Sequence, residues 1–427
     1  MLAPVEHQIS RDLHITLSYH WFLLNSLILI GVGLGPLILA PLSETYGRKP
    51  VLLGGSIVFI IWNTGCGASQ TISQILAFRL LSGFGACVAD ALAGGVLADL
   101  WTAEETGRAF AIFTTAPLLG IAVGPICGAF ISEGISWRWI FWVVSIASSV
   151  VTVIAILFLD ETYEPQITKL RENREEGKAQ SFRRWRIPRN ILQAFLDTIS
   201  TNLQRPLRML GTQLIIQLLA IYMALLYGTG FLFLFFYPRI WAQNYHQSTR
   251  VGSLNYISVA VGLIAGANIA GYLNDHIHIR LKAKNNGHGL PEFRVPAMIM
   301  GTALVPIGLM LWGWSGQFRV HWIVPNLGSL IFFMGVYVCS GCVSVYTIDT
   351  YSQYAASAIS TNLALRSLTA AFFPLFAPYM INRFGFGWGA TVLAGEFFFL
   401  GSIVVLVLWF YGARLRARSP YCAAESV

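Results

Sequence analysis

Four polar residues stand where apolar neighbours make charge expensive: Arg79, Asp90, Asn362 and Arg366. An ionisable group inside a membrane usually faces a partner or a water-filled cavity. Arg79 and Asp90 are eleven residues apart. On one helix, eleven steps return to within about 20° of the same face. Gly83 and Ala86 fall on that stripe too. A carboxylate there suits reversible proton loading, and it suits equally a polar residue bonded to a neighbouring helix. Asn362 and Arg366 are at i and i+4, with Thr369 and Phe373 continuing a polar face. Tyr222 and Tyr227 lie in a stretch loosened by Gly228 and Gly230. Aromatic rings with a polar tip suit an apolar organic ligand, or ordinary lining. Glu396 is a lone acid in the last apolar run.

Other chemistries lack their residues. No grouping reads as a catalytic triad, phosphate loop or metal site, so the chain is not expected to be an enzyme or to hold a cofactor. No histidine falls at mid-depth of an apolar run, which disfavours a histidine proton relay. Cys339 and Cys342 have a CxxC spacing, but they sit in an apolar segment without a second pair, so they read as small packing residues. No ATP-binding motif of the Walker type is present.

These residues must be positioned by membrane helices. Of 427 residues 55% are hydrophobic and 11% charged, and mean hydropathy is +0.62. A soluble chain this apolar would expose intolerable patches, and disorder needs the opposite composition. A bilayer core of ~30 Å needs about 20 apolar residues in a helix. Eleven stretches qualify: 19–41, 50–68, 75–98, 108–132, 138–159, 210–237, 251–273, 295–314, 321–347, 355–381 and 388–412. The sequence therefore predicts an all-α membrane protein with bundles at 19–159 (five helices) and 210–412 (six). A polar loop, 160–209, separates them, and apolar residues at helical spacing in 189–205 predict an amphipathic helix on the membrane surface. With that loop inside, 20 Lys and Arg lie on its side and six on the other. The +8 net charge is thus loop asymmetry rather than a nucleic-acid signal. It places residues 1–18 outside as a tail and 413–427 in the cytoplasm.

The chain also repeats itself. APLSETYGRK (40–49) parallels GYLNDHIHIR (271–280), so Glu44 matches Asp275 and Lys49 matches Arg280. At a slightly longer offset Asp99 matches Asp349, and GISWRW (134–139) parallels GFGWGA (385–390). If 19–41 pairs with 251–273, the helix at 210–237 has no partner, as if a six-plus-six bundle lacked its first helix. Glu44, Arg48, Lys49 and Asp99 gather at helix ends on one side, where Arg48 and Asp99 can form a charge-assisted pair. The cluster is either a latch between states or a solvated turn. Gly120, Gly124 and Gly128 make a small-residue stripe for close helix approach, and Pro125 bends that helix.

GPLILAPLSETYGRKPVL, RLLSGFGACVADALAGGVLADLW, PLLGIAVGPICGAFI, WRWIFW, DETYEP and QRPLRML resemble the major facilitator superfamily, and within it fungal drug:proton antiporters with twelve spans. The resemblance runs over nearly the whole chain. Ala40 and Glu44 stand where the family's loop motif usually has Gly and Asp, and His278 and Ile279 stand in the second half where Gly47 and Arg48 stand in the first. It implies the two-bundle facilitator fold and a latch formed by Glu44, Gly47, Arg48, Lys49, Asp99 and Asp275. It implies an antiporter motif at Gly120, Gly124, Pro125 and Gly128, with proton coupling or cavity roles for Arg79, Asp90, Asn362, Arg366, Tyr222 and Tyr227. The activity it implies is proton-driven export of a drug, toxin or secondary metabolite by a monomer, in the plasma membrane first and the vacuolar membrane second. Two other readings stay open: a polyamine or organic-cation transporter, and a non-transporting remnant or scaffold.

Overall fold

A backbone inside a bilayer finds no water, so a spanning segment must satisfy its own N–H and C=O groups, as a helix does. The structure is a computed structural model that describes residues 6–13, 18–100, 106–163, 166–168, 208–351, 355–419 and 421–422. Among them the regular elements are helices: α1 (Glu6–Asp12), α2 (Ser18–Tyr46), α3 (Arg48–Ala68), α4 (Ile72–Ala86), α5 (Val88–Leu100), α6 (Thr106–Gly134), α7 (Arg138–Phe158), α8 (Leu214–Gln243), α9 (Thr249–Leu254), α10 (Tyr256–Lys284), α11 (Val295–Gln317), α12 (Ile323–Thr350), α13 (Ala355–Phe372) and α14 (Ala377–Ala417), with 3-10 turns at Pro291–Arg294 and Phe373–Phe376. The amphipathic helix expected over 189–205 lies outside the described residues.

Nine of the described helices or helix runs are long and apolar enough to cross a membrane. The other two expected spans are present as helices that miss that standard. α2 contributes a shorter apolar stretch, Leu23–Leu39. The span expected over 355–381 is broken into α13, a 3-10 turn and the first residues of α14, and α13 carries Asn362, Arg366 and several hydroxyls. Inside α14, Gly385 has φ 72°, which interrupts the helix and starts the last span. The turn at Cys87 divides α4 from α5, so Arg79 and Asp90 stand on successive helices and not on one unbroken face.

In the first half α2 and α3 pack on α4 and on each other, and α7 packs on α3. The α2–α4 crossing is close because both sides are glycine. A Cβ on Gly83 would lie 2.4 Å from the Ile28 carbonyl oxygen, and one on Gly31 would lie 2.6 Å from that of Leu80. Residues 6–13, expected as part of a tail, dock instead on this half: Ile9 and Leu13 are buried with Leu24, Cys66, Ile75 and Trp137. The Trp137 indole donates to Asp12 at 2.8 Å, and Arg138 pairs with Asp12 at 3.5 Å.

The second half is built on α8, which packs against α12, α13 and α14, while α11 packs on α12 and α14. The Phe233 ring stacks on Phe332 at 4.7 Å and meets Trp312 at 4.4 Å. The halves meet where α2 crosses α13 and where α6 crosses α10. The second bundle also runs past residue 412. α14 continues to Ala417, and Arg416 pairs with the buried Glu292 at 3.2 Å beneath the bundle.

Candidate functional site

A cavity of about 510 Å³ opens between the halves, within the usual range for organic ligands. Its walls come from α2, α3, α4, α6 and α7 of the first half and from α8, α10, α12 and α13 of the second. Phe141, Phe231, Phe235 and Phe333 give it aromatic walls, and the charged residue lining it is Arg79. Arg79 donates from Nε to the Leu24 carbonyl at 3.1 Å and lies 5.8 Å from the Phe141 ring centre. Among the described residues no carboxylate pairs with it. Beside it, Asn63 spends both amide N–H groups, on the Phe141 carbonyl and on Ser145, each at 2.9 Å.

The remaining cavity candidates divide. Tyr227 lines the cavity, and its hydroxyl accepts from Arg366 at 3.1 Å while sharing a hydrogen bond with Ser340 at 3.2 Å. The Arg366 guanidinium lies 4.5 Å from the Tyr227 ring centre, a cation–π distance. Asp90 is exposed at the start of α5, and its charge interacts through space with Arg366 across the junction of the halves. Tyr222 does not reach the cavity. It is fully buried against Phe397, and its hydroxyl bonds to Thr302 at 2.7 Å. Asn362 is buried too, 3.5 Å from the Thr347 hydroxyl. Both have the polar tip that spacing detects; Tyr222 satisfies its hydroxyl inside the second-half core, whereas the buried Oδ1 of Asn362 has no hydrogen-bond partner among the described residues. Glu396 is half-buried in α14, outside the cavity walls.

Gly120 and Pro125 line the cavity. A Cβ on Gly120 would meet nothing within 4 Å, so this part of the stripe widens the cavity and does not admit a close helix. Gly124 and Gly128 are buried on α6.

At the end of the bundle rich in basic residues, Glu161 joins the described residues of the expected latch. Gly47 has φ +98°, and a Cβ there would lie 2.5 Å from the Glu161 carboxylate. That carboxylate accepts from the backbone N–H of Arg48 at 2.8 Å and of Lys49 at 3.2 Å. It caps α3, where a helix N-terminus favours a negative charge. The Arg48 side chain donates to Ser43 at 2.7 Å and lies over the Tyr163 ring, while the Lys49 ammonium donates to the Ile156 carbonyl. The side chains of Glu44 and Asp99 lie outside the described residues.

In the second half Arg294 bonds Asp349 at 3.0 Å and Asp275 at 3.5 Å. The sequence offset pairs Lys49 with Arg280, but the arginine that joins the repeated acids is Arg294. α10 runs on to Lys284, and the longer connection moves the arginine to the foot of α11, as Arg48 stands at the foot of α3. Glu161 and Arg294 are thus residues that spacing did not single out. The faint signals were DETYEP directly after a span and the already matched Asp349.

This architecture recurs in known transporters. The structure aligns with the xylose transporter XylE from E. coli in a partially occluded inward open conformation. The TM-score is 0.67 over 96% of this chain and 92% of that one, at 16% identity, a likeness of fold alone. In sequence the chain is 39% identical to efflux pump vrtL of Penicillium aethiopicum, over 99% of this chain and 84% of that protein. It is 33% identical to efflux pump radE of Floropilus chiversii, over 99% of this chain and 78% of that protein. The sequence profile described as the Major Facilitator Superfamily matches residues 1–374. Two helical bundles about a central cavity therefore have a plain explanation: this chain is a multi-pass membrane transporter that belongs to the Major Facilitator Superfamily.

Proposed function

We propose that the chain exports small organic compounds in exchange for protons by alternating access, as a monomer in the plasma membrane. The observation that carries this reading is the aromatic cavity between the halves, with Arg366 of the second half held on Tyr227 at its wall. Asp90 belongs to the first half, and Arg366, within reach of its charge, is held on Tyr227 at the cavity wall. A proton on Asp90 removes the attraction between the halves, so loading and conformation are coupled in the sense that differential affinity requires. The aromatic cavity supplies the organic site, and the relatives named as efflux pumps favour the outward direction. A polyamine or other cation would need acids on the cavity wall, and the charged residue there is Arg79.

Inside-out yeast vesicles loaded to an acidic interior test the reading. They are expected to accumulate compounds from a dye and toxin panel, and a protonophore is expected to abolish accumulation. Asp90→Asn should lose gradient-driven uptake while retaining counterflow of the same compound. Protonophore-insensitive uptake overturns proton coupling, and full gradient-driven uptake in Asp90→Asn removes Asp90 from it.

A further inference from the structure

We infer that Arg79 is the anion-binding end of the cavity, so that the chain selects amphipathic organic monoanions, compounds with a carboxylate on an aromatic body. This rests on the cavity being the transport site, and it names the substrate class of that site. Burying a guanidinium without a counter-charge costs several kcal/mol unless its donors are met. Arg79 offers five N–H donors and spends Nε–H on one carbonyl, that of Leu24. Its Nη groups carry the remaining donors, and no carboxylate among the described residues takes them. The Asn63 amide beside it bonds away from it, to Phe141 and Ser145.

The other intramembrane charges are engaged elsewhere. Arg366 is held on Tyr227 and acts on Asp90, and Glu396 is outside the cavity walls. The cavity wall therefore carries one positive charge and no negative one among the described residues. A planar carboxylate can take two parallel N–H bonds from a guanidinium, a geometry that a neutral alcohol cannot match. Phe141, whose ring lies beside the Arg79 guanidinium, and Phe231, Phe235 and Phe333 further along the wall, suit a flat apolar body attached to that head. A cation on the same body meets an uncompensated like charge in a region that water screens little.

Three pyrene compounds that differ only at the head test this: 1-pyrenebutyrate, 1-pyrenebutanol and pyrenebutyl-trimethylammonium. The full chain is purified into phosphatidylcholine nanodiscs, and saturable energy transfer from tryptophan to pyrene is measured at pH 7.5. The expected result is pyrenebutyrate binding about tenfold tighter than the alcohol, equivalent to ~1.4 kcal/mol, with the ammonium compound weakest. Arg79→Gln should erase the difference between acid and alcohol, and Arg79→Lys should restore part of it. Equal binding of all three heads by the unaltered chain overturns the inference while leaving the cavity as the organic site. Saturable binding of none overturns both. The head-group comparison in the unaltered chain stands even if a variant misfolds. Phosphatidylserine added to the nanodiscs should leave the pyrenebutyrate affinity unchanged. A tenfold loss on its addition, absent in Arg79→Gln, would assign Arg79 to lipid headgroups and overturn the inference.

Discussion

The two halves of the molecule repeat one another in helix order and differ in how much they bury. Between counterparts in the repeat, 22% of the apolar stretch of α3 is buried against 56% of that of α11, and 22% of that of α7 against 39% of that of α14. The difference centres on α8, around which the second half closes an aromatic core. Its neighbours α12, α13 and α14 correspond by the repeat to α4–α5, α6 and α7, and both halves contribute to the cavity wall, Arg79, Gly120 and Phe141 from the first and Phe231, Phe333 and Ala370 from the second. A densely packed half moves as a rigid body, because packed interiors deform little. The first, hollower half supplies the charge on the shared wall, Arg79.

The largest effect should come from the packing itself. Phe233→Ala removes a ring that contacts Phe332, Trp312, Tyr237 and Phe333, all within 5.5 Å of it. It should cost about 4 kcal/mol, the range for a buried Phe→Ala. Phe141→Ala removes a ring already bordering the cavity, so less contact is lost and about 2 kcal/mol is expected. Thermal denaturation in detergent measures both. Equal losses would break the contrast between a packed and a hollow half.

The second test compares the two charge clusters at the basic end. Arg294 is mostly buried between Asp275, which is largely exposed, and Asp349, which is partly so. Arg294→Gln leaves two carboxylates facing each other and should cost about 2 kcal/mol, below the figure for fully buried pairs because solvent screens Asp275. Glu161→Gln keeps the shape of the α3 cap but loses its charge, at about 1 kcal/mol. Stability curves in detergent check both. A larger loss at Glu161 than at Arg294 would make the first-half cluster the main fastening and reverse their expected ranking.

What the sequence displayed follows from what each signal can carry. Apolar runs report on membrane depth, so the apolar helices were legible. Period and spacing fix the face of a helix only while the helix is unbroken. The turn at Cys87 therefore places Arg79 and Asp90 on successive helices, whereas Gly385 breaks the chain inside the expected loop, 382–387. A polar tip in an apolar run shows that a partner exists but not where. Tyr227 found Arg366 at the cavity, whereas Tyr222 found Thr302 in the core. Partners more than a hundred residues apart, such as Glu161 with the α3 N-terminus, leave no spacing to read.

The smallest effect concerns the seam between the halves at the end opposite the basic clusters. Glu133, at the foot of α6, pairs with Arg250 of α9 at 2.6 Å, and Arg250 also lies over the Phe130 ring. The pair is partly exposed, at 28% and 47% of the two side chains, so its coupling should be about 0.5 kcal/mol. That shifts a two-state equilibrium roughly twofold. The pair joins the packed half to the hollow one, so weakening it should change the balance between states and leave the stability of each half alone. Glu133→Gln, Arg250→Gln and their combination should each raise cysteine-labelling rates at this seam about twofold. The double variant should be no faster than the single ones, because both remove the same bond. Additive rate increases would show that the two residues act separately. A fall in melting temperature matching that of Phe233→Ala would show that the seam belongs to the packed core and not to the boundary between the halves.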